Sequence, residues 1–316
     1  MSKKCLYCYQ DIDNQAKGEF HERCSLAFFG TSEQPEFSYS LDQMDELAKN
    51  VIQRSIAVPG VQPKLSLTVV NEALGNGKGG RLTVVGALGG NYIFKPPSTI
   101  FPEMPANEHL TMRMAESFGM KTAMSSLIRL KSGELSYITK RFDRTDDGKK
   151  VHMIDMFQIL EAFDKYKSSM EKVGKAIGTY SSRAIFDKLY FFELTIFCFL
   201  TGNSDMHLKN FSMIISGKKW VFSPAYDLLN VAIVNPQDNE ELALTLEGKK
   251  RKLAFTHFSR LGTGLGLNAK QISKVFERFD DFRKVAENWV ELSFLSQEFK
   301  EKYTELLSQR YSILYS

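Results

Sequence analysis

Gly202-Asn203-Ser204-Asp205-Met206-His207-Leu208-Lys209-Asn210, followed seventeen residues on by Asp227, is the stretch on which the reading of this 316-residue chain turns. It comes directly after an apolar run, Leu189 to Leu200, broken by Glu193 and Thr195. That run is too short to span a bilayer and reads as a buried core helix. A polar loop therefore leaves the edge of the core. Beyond it, Phe211–Ile215 and Trp220–Phe222 read as a hairpin about the turn Ser216-Gly-Lys-Lys219. An Asp, an Asn five residues later and a second Asp after the hairpin supply hard oxygen donors. Phosphoryl transfer needs such donors, because it rests on positioning and charge neutralisation more than on covalent chemistry. Asp205 would orient an attacking hydroxyl and accept its proton. Lys209 would offer a cation to the migrating group, and Asn210 and Asp227 would hold Mg²⁺ against the phosphates of ATP. The plainer reading of an Asp–Asn pair in a loop is turn capping. The helix before, the hairpin after and Asp227 weigh against it. His207 reads as structural or nucleotide-adjacent, since Asp205 fills the role of base better.

Outward toward the amino terminus the chain reads as strands. Lys64–Val70 alternates apolar and polar residues, Arg81–Gly86 forms a second strand after a glycine-rich turn, and Asn91–Lys95 forms a third. Apolar positions recur at helical spacing over 107–118, closed by Gly119, and Ser126–Leu130 with Leu135–Phe142 form another hairpin. Lys95 ends an apolar strand, and Pro96-Pro97 fix the chain direction after it. It reads as a phosphate-pairing cation or as an edge lysine on a solvated face. Glu108, on the next helix, either pairs with Lys95 or is a charge favoured by the helix amino terminus. Ser55-Ile-Ala-Val-Pro-Gly60-Val-Gln-Pro-Lys64 is, on its own residues, only a turn, and Lys64 points at phosphates or at solvent. In Lys140-Arg141-Phe142-Asp143-Arg144 the ring of Phe142 suits adenine stacking. The alternative is a core Phe142 beside an ion-pair cluster.

Toward the carboxyl terminus the chain is mostly helical, with candidates at 153–163, 168–178, 182–201, 256–262, 270–290 and 295–313. One strand pair, the hairpin after Asn210, interrupts them. Lys165-Tyr-Lys-Ser-Ser169 reads as a solvated helix start. The expected architecture is α+β and bilobed, a β-rich lobe over 55–142 and an α-helical lobe over 143–316. Polar motifs lie near the junction, where ligand sites are favoured. Residues 31–54 connect this body to the first thirty.

Those first thirty hold Cys5, Cys8 and Cys24, with His21. Two pairs, each with two residues between and twelve separating them, have the spacing of a tetrahedral Cys₃His zinc site. They could equally be incidental small residues under a terminal flap. The bulk numbers exclude little: 43% hydrophobic, 25% charged, net charge +4. Composition of that kind suits an ordinary globular protein, and no dense Lys/Arg block implies nucleic acid as the main ligand. No signal-peptide pattern opens the chain, so a cytoplasmic, reduced setting with no membrane partner is expected.

The stretches Val58–Lys64, Tyr92–Pro97, Asn107-Glu108, Lys140–Arg144, Gly202–Ser212 and Ser223–Leu229 closely resemble the HipA-like serine/threonine kinases of bacterial toxin–antitoxin systems. The likeness covers about residues 55–230 in the family's order, and the Asp-x-His-x-Lys-Asn-Phe-Ser block is highly specific. It implies a protein-kinase-like fold, with Asp205 as catalytic base, Asn210 and Asp227 on Mg²⁺, and Lys95 on the ATP phosphates. Phe142 would lie near the adenine, and the loop of Val58, Gly60 and Lys64 over the phosphates. Family members phosphorylate an aminoacyl-tRNA synthetase, glutamyl or tryptophanyl, and are held by a helix-turn-helix antitoxin. The phosphate loop begins at about residue 55, earlier than in full-length members, so the chain looks like the short, HipT-type toxins of three-gene systems. There a separate small antitoxin resembles the missing amino-terminal subdomain. Such toxins autophosphorylate serines in the phosphate loop, often a Ser-Ile-Ser pair. Here Ser55-Ile56-Ala57 keeps Ser55 and lacks the second serine. A small-molecule or lipid kinase of the same fold, or a nucleotide-binding module without turnover, are the alternatives.

Overall fold

A computed structural model of the chain describes residues 3–13, 18–44, 46–47, 64–70, 80–84, 90–98, 100–145 and 147–315. The chain divides into two compact units. The first comprises 1–109 and 123–149, the second 110–122 and 150–316. The fold is α+β.

In the first unit, a short pair β1 (Lys3–Lys4) and β2 (Asp11–Ile12) precedes helix α1 (Glu22–Phe29). The strands β3 (Leu65–Val70), β4 (Arg81–Val84), β5 (Tyr92–Lys95), β6 (Ser125–Arg129) and β7 (Leu135–Lys140) form an antiparallel sheet in the order β4-β3-β5-β7-β6. Leu65, Leu67, Leu82, Tyr92, Phe94, Leu127, Tyr137 and Ile138 are buried from these strands. β5 is central: Leu65 opposes Phe94 on one side and Lys95 opposes Tyr137 on the other. Lys95 therefore ends an interior strand, not an edge one. Helix α2 (Met104–Phe118) begins before the expected residue 107, and its residues up to His109 belong to this unit.

In the second unit, β8 (Met153–Asp155), β9 (Ser212–Ser216) and β10 (Lys219–Phe222) form an antiparallel sheet in the order β10-β9-β8. The expected helix over 153–163 is thus corrected. Asp155 is the N-cap of a capping box, accepting from the Gln158 backbone N–H, so the helix starts only at Met156. The residues before the cap stay extended and pair with β9, Ile154 opposite Met213. The helical stretch itself is only α3 (Met156–Ile159). Five further helices fall close to the expected places, α4 (Met170–Tyr180), α5 (Ala184–Leu200), α7 (Phe255–Gly264), α8 (Ala269–Leu292) and α9 (Gln297–Tyr315), while the short α6 (Val231–Val234), capped by the Asn230 side chain, was not expected. Helix α5 is buried along most of its length, with Phe191, Phe192, Phe197 and Phe199 all at 2% exposure or less. A helix apolar on all sides belongs inside a core, and α4, α7 and α9 pack around it. Among the described residues no helix is long and apolar enough to cross a membrane.

Candidate active site

The loop after α5 is shaped by its first residues. Thr201 closes the helix, its backbone N–H and its hydroxyl both donating to the Phe197 carbonyl, at 2.9 and 2.8 Å. Gly202 takes φ +66°, and a Cβ there would collide with Leu306 Cδ2 and lie 2.9 Å from Asn230 Oδ1. The close approach requires glycine. The Gly202 carbonyl accepts from Val231 N–H at 3.0 Å, tying the loop to the segment beyond Asp227. A second tie fixes the hairpin to α5: buried Asp187 accepts from Phe222 N–H at 2.7 Å and from the Ser181 hydroxyl at 2.6 Å. Loop and hairpin are thus held from the same helix.

Asp205 is half-buried and its Oδ1 accepts a 2.6 Å hydrogen bond from the Tyr166 hydroxyl. Its backbone carbonyl accepts from Asn210 Nδ2 at 2.9 Å and from His207 N–H at 2.8 Å. The Asn210 amide nitrogen is thereby committed to Asp205, which leaves its oxygen as the atom suited to a cation. Asp227 sits at φ +56°, a backbone conformation uncommon outside glycine but tolerated by Asp. The residue before it explains its placement. The Tyr226 hydroxyl donates to the Lys209 carbonyl at 2.8 Å and shares a 2.6 Å hydrogen bond with the Ser212 hydroxyl. The chain at 226–227 is thereby bound to the chain at 209–212.

His207 reports the charge around it. Burial lowers its pKa first, and both the Asp205 and Asp227 carboxylates push it back up, with Lys165 opposing them. Burial wins, so the imidazole is neutral at ordinary pH. The carboxylates of Asp205 and Asp227 thus both act electrostatically on this ring. Its Nδ1 is buried without a hydrogen-bond partner among the described residues, and its ring meets that of Tyr166 edge-on, 5.1 Å between centroids. Lys209 Nζ lies 4.9 Å from the Phe157 ring centroid and acts on the nearby Asp155 carboxyl. The Asp227 carboxylate and the Asn210 amide oxygen are hard oxygen donors of the kind Mg²⁺ selects.

The first unit holds its own polar pair. Lys95 Nζ and Glu108 Oε1 are 2.6 Å apart with both side chains nearly fully buried, and Nζ lies 5.2 Å from the Tyr137 ring centroid. Glu108 is beyond the first turn of α2, so of the two readings the pair with Lys95 is the one observed. Arg141 grips Asp143 in a fork, Nε to Oδ1 at 2.8 Å and Nη2 to Oδ2 at 2.7 Å, and Arg144 Nη1 adds a bond of 2.6 Å. The ion-pair cluster beside Phe142 is therefore present, and Phe142 itself is half-buried. Burial raises the Asp143 pKa, but the two guanidiniums outweigh it and hold the carboxyl below its ordinary value. Lys64 opens β3 at the surface, while Ser55, Val58 and Gly60 lie outside the described residues.

The HipA-like C-terminal domain family matches residues 56–289, most of the chain. This chain belongs to that family. Among its HipA-like relatives is a putative kinase, Y4dM, of Sinorhizobium fredii, 33% identical over 260 residues, which are 77% of this chain and 61% of the relative. The chain thus spans less than two thirds of that relative. A putative kinase of Haemophilus influenzae is 24% identical, over 89% of this chain and 88% of its own. The serine/threonine-protein kinase toxin HipA of Shewanella oneidensis is 26% identical over 61% of this chain and 47% of its own. Among solved structures, the Shewanella oneidensis HipA chain in a complex with HipB and operator DNA aligns with TM-score 0.67 at 22% identity. That alignment covers 84% of this chain and 70% of the other. The Helicobacter pylori kinase CtkA aligns at TM-score 0.51 and 17% identity, over 70% of this chain and 86% of its own. At these identities the two structures establish the fold.

One residue of this HipA-like site escapes a linear reading. Tyr166 lies in the Lys165–Ser169 stretch expected to be a solvated helix start. The helix begins only at Met170, capped by Ser169, whose side chain accepts from Lys172 N–H at 3.3 Å. The stretch before it instead meets the loop after α5: the Lys165 carbonyl accepts from Leu208 N–H at 3.1 Å, and the Tyr166 hydroxyl meets Asp205. No sequence signal distinguished it, since Phe163 and Met170 stand at helical spacing from it.

Proposed function

We propose that this chain is an ATP- and Mg²⁺-dependent serine/threonine protein kinase acting as the toxin of a toxin–antitoxin system. What carries the proposal is the hydrogen-bonded frame of this loop: Asn210 is pinned to the Asp205 backbone, and the chain at 226–227 is bound through Tyr226 to the chain at 209–212. In this reading Asp205 holds the acceptor hydroxyl and takes its proton, while the Tyr166 hydroxyl fixes the carboxylate's orientation. Asn210 and Asp227 hold Mg²⁺, which when bound neutralises charge on the phosphates. Lys95, kept in place by Glu108, pairs with the nucleotide phosphates, and Lys64 and Phe142 serve the phosphates and the adenine. Lys209, set against Phe157, lends positive charge near Asp155. His207 packs the loop edge-on against the Tyr166 ring, and Asp205 takes the role of base.

The family names support the toxin reading: one relative is a serine/threonine-protein kinase toxin, and one structural neighbour was solved with an antitoxin on its operator. We extend it to a cytoplasmic, HipT-type toxin that phosphorylates an aminoacyl-tRNA synthetase. It would be neutralised by a small partner resembling the amino-terminal subdomain of longer relatives, and autophosphorylated at Ser55. Mass spectrometry of bacterial phosphoproteins after brief induction of the chain, against an Asp205→Asn control, tests this. New phosphoserine on one synthetase, absent from the control, is expected. Identical phosphoproteomes would end the proposal.

A further inference from the structure

We propose that Cys5, Cys8, His21 and Cys24 form a closed structural zinc site that clamps the amino-terminal segment onto the sheet of the first unit. The four ligand atoms lie within 4.8 Å of one another. His21 Nδ1 is 3.4 Å from Cys8 Sγ and 3.7 Å from Cys24 Sγ. Zinc–sulfur bonds of about 2.3 Å and zinc–nitrogen bonds of about 2.0 Å at tetrahedral angles place sulfur and nitrogen ligands about 3.5 Å apart. The two His21–sulfur separations are therefore close to those a single zinc ion imposes.

Independent features of the surroundings point the same way. His21 Nε2 lies 3.0 Å from the Asp11 carbonyl oxygen. A carbonyl only accepts, so Nε2 carries the proton and Nδ1 presents its lone pair to the sulfurs. That is how a metal-ligating histidine is held by its outer neighbours. His21 also stands at the N-cap of α1 yet makes no side-chain capping bond. Its ring is turned to the thiols instead of the helix. The turn carrying the first pair is tight: Tyr9 N–H donates to the Cys5 carbonyl at 3.0 Å, and Tyr9 adopts φ +66°. A bulky residue in that conformation persists only where its surroundings determine it strongly.

Three sulfurs and one imidazole nitrogen favour zinc over hard cations, and four protein ligands leave no open position for catalysis. All the cysteines are free. A disulfide between any two would leave the third sulfur and the oriented imidazole without a purpose. The structural consequence is local. Leu6 beside the first ligand accepts from Leu127 N–H of β6 at 3.2 Å, and Tyr92 of β5 donates its hydroxyl to the Phe28 carbonyl of α1 at 3.0 Å. Cys5, Leu6 and Phe28 are fully buried. The metal would thus staple two short, otherwise marginal elements to the sheet that carries Lys95.

The test is elemental analysis of the purified full chain, coupled to release of metal by a thiol-modifying reagent. About one zinc per chain is expected, released as the thiols are modified, with Cys8→Ser falling to background and Cys198→Ser unchanged. Should Cys8→Ser not fold, cobalt replacement in the parent decides instead. Intense tetrahedral d–d absorption with a thiolate charge-transfer band is expected. A parent chain that carries no zinc after growth with zinc supplied, with its thiols reacting freely, would overturn the proposal. So would a cobalt spectrum of octahedral oxygen and nitrogen type. Neither outcome depends on whether the chain is a kinase.

Discussion

At the scale of single residues, the account rests on side chains whose partners are fixed. Tyr166 is the clearest case, because its hydroxyl meets the carboxylate assigned as base. Tyr166→Phe should lower kcat about tenfold, roughly 1.4 kcal/mol of barrier, with little change in KM for ATP. Steady-state kinetics of the two proteins check it, and an unchanged kcat would remove Tyr166 from the mechanism. Lys95 makes a different prediction. Replacing it by Met strands the Glu108 carboxylate in the core, and breaking a buried ion pair from one side costs about 3–5 kcal/mol. Chemical denaturation should show Lys95→Met strongly destabilised and Lys95→Met with Glu108→Gln much less so. Additive losses would mean that the two do not act as a pair. Asp205, Asn210 and Asp227 stand out in the sequence by their spacing, because metal and phosphate chemistry constrains residue type, and their roles are what we propose. Tyr166 does not stand out, because nothing local to it marks a partner thirty-nine residues away.

At the scale of elements, the loop after α5 depends on one glycine. Gly202→Ala would force a Cβ into Leu306 and Asn230 at a positive φ. The two effects together should cost about 2–4 kcal/mol, seen as a lower denaturation midpoint. The turn after β7 depends on charge. The folded-state pKa of Asp143 lies below its unfolded value, which is near 3.8. The contribution of its carboxylate is therefore present above that value and lost as pH falls through the folded pKa. Denaturation of parent and Asp143→Asn should differ fully at pH 6 and converge only once pH has fallen below the folded pKa, which is itself below 3.8. A difference constant with pH would contradict the assignment. The strongly periodic helices and alternating strands were legible in sequence. β8 was not: Met153–Asp155 carries a helix-like pattern, and only the Asp155 cap and pairing with β9 decide its conformation. The pair β1 and β2 was too short to announce itself.

At the scale of the whole molecule, the α+β class was legible from a strand-rich stretch followed by a helix-rich one. The assignment of 110–122 to the second unit was not, since helix α2 runs through residue 109 without a break in its pattern. What the molecule does is decided by transfer. Purified full chain, given Mg-ATP labelled on the γ-phosphate together with bacterial lysate proteins, should place label in protein. Asp227→Asn, shown to be folded, should transfer at least about a hundredfold more slowly. Equal transfer by the two proteins would contradict the account at its centre.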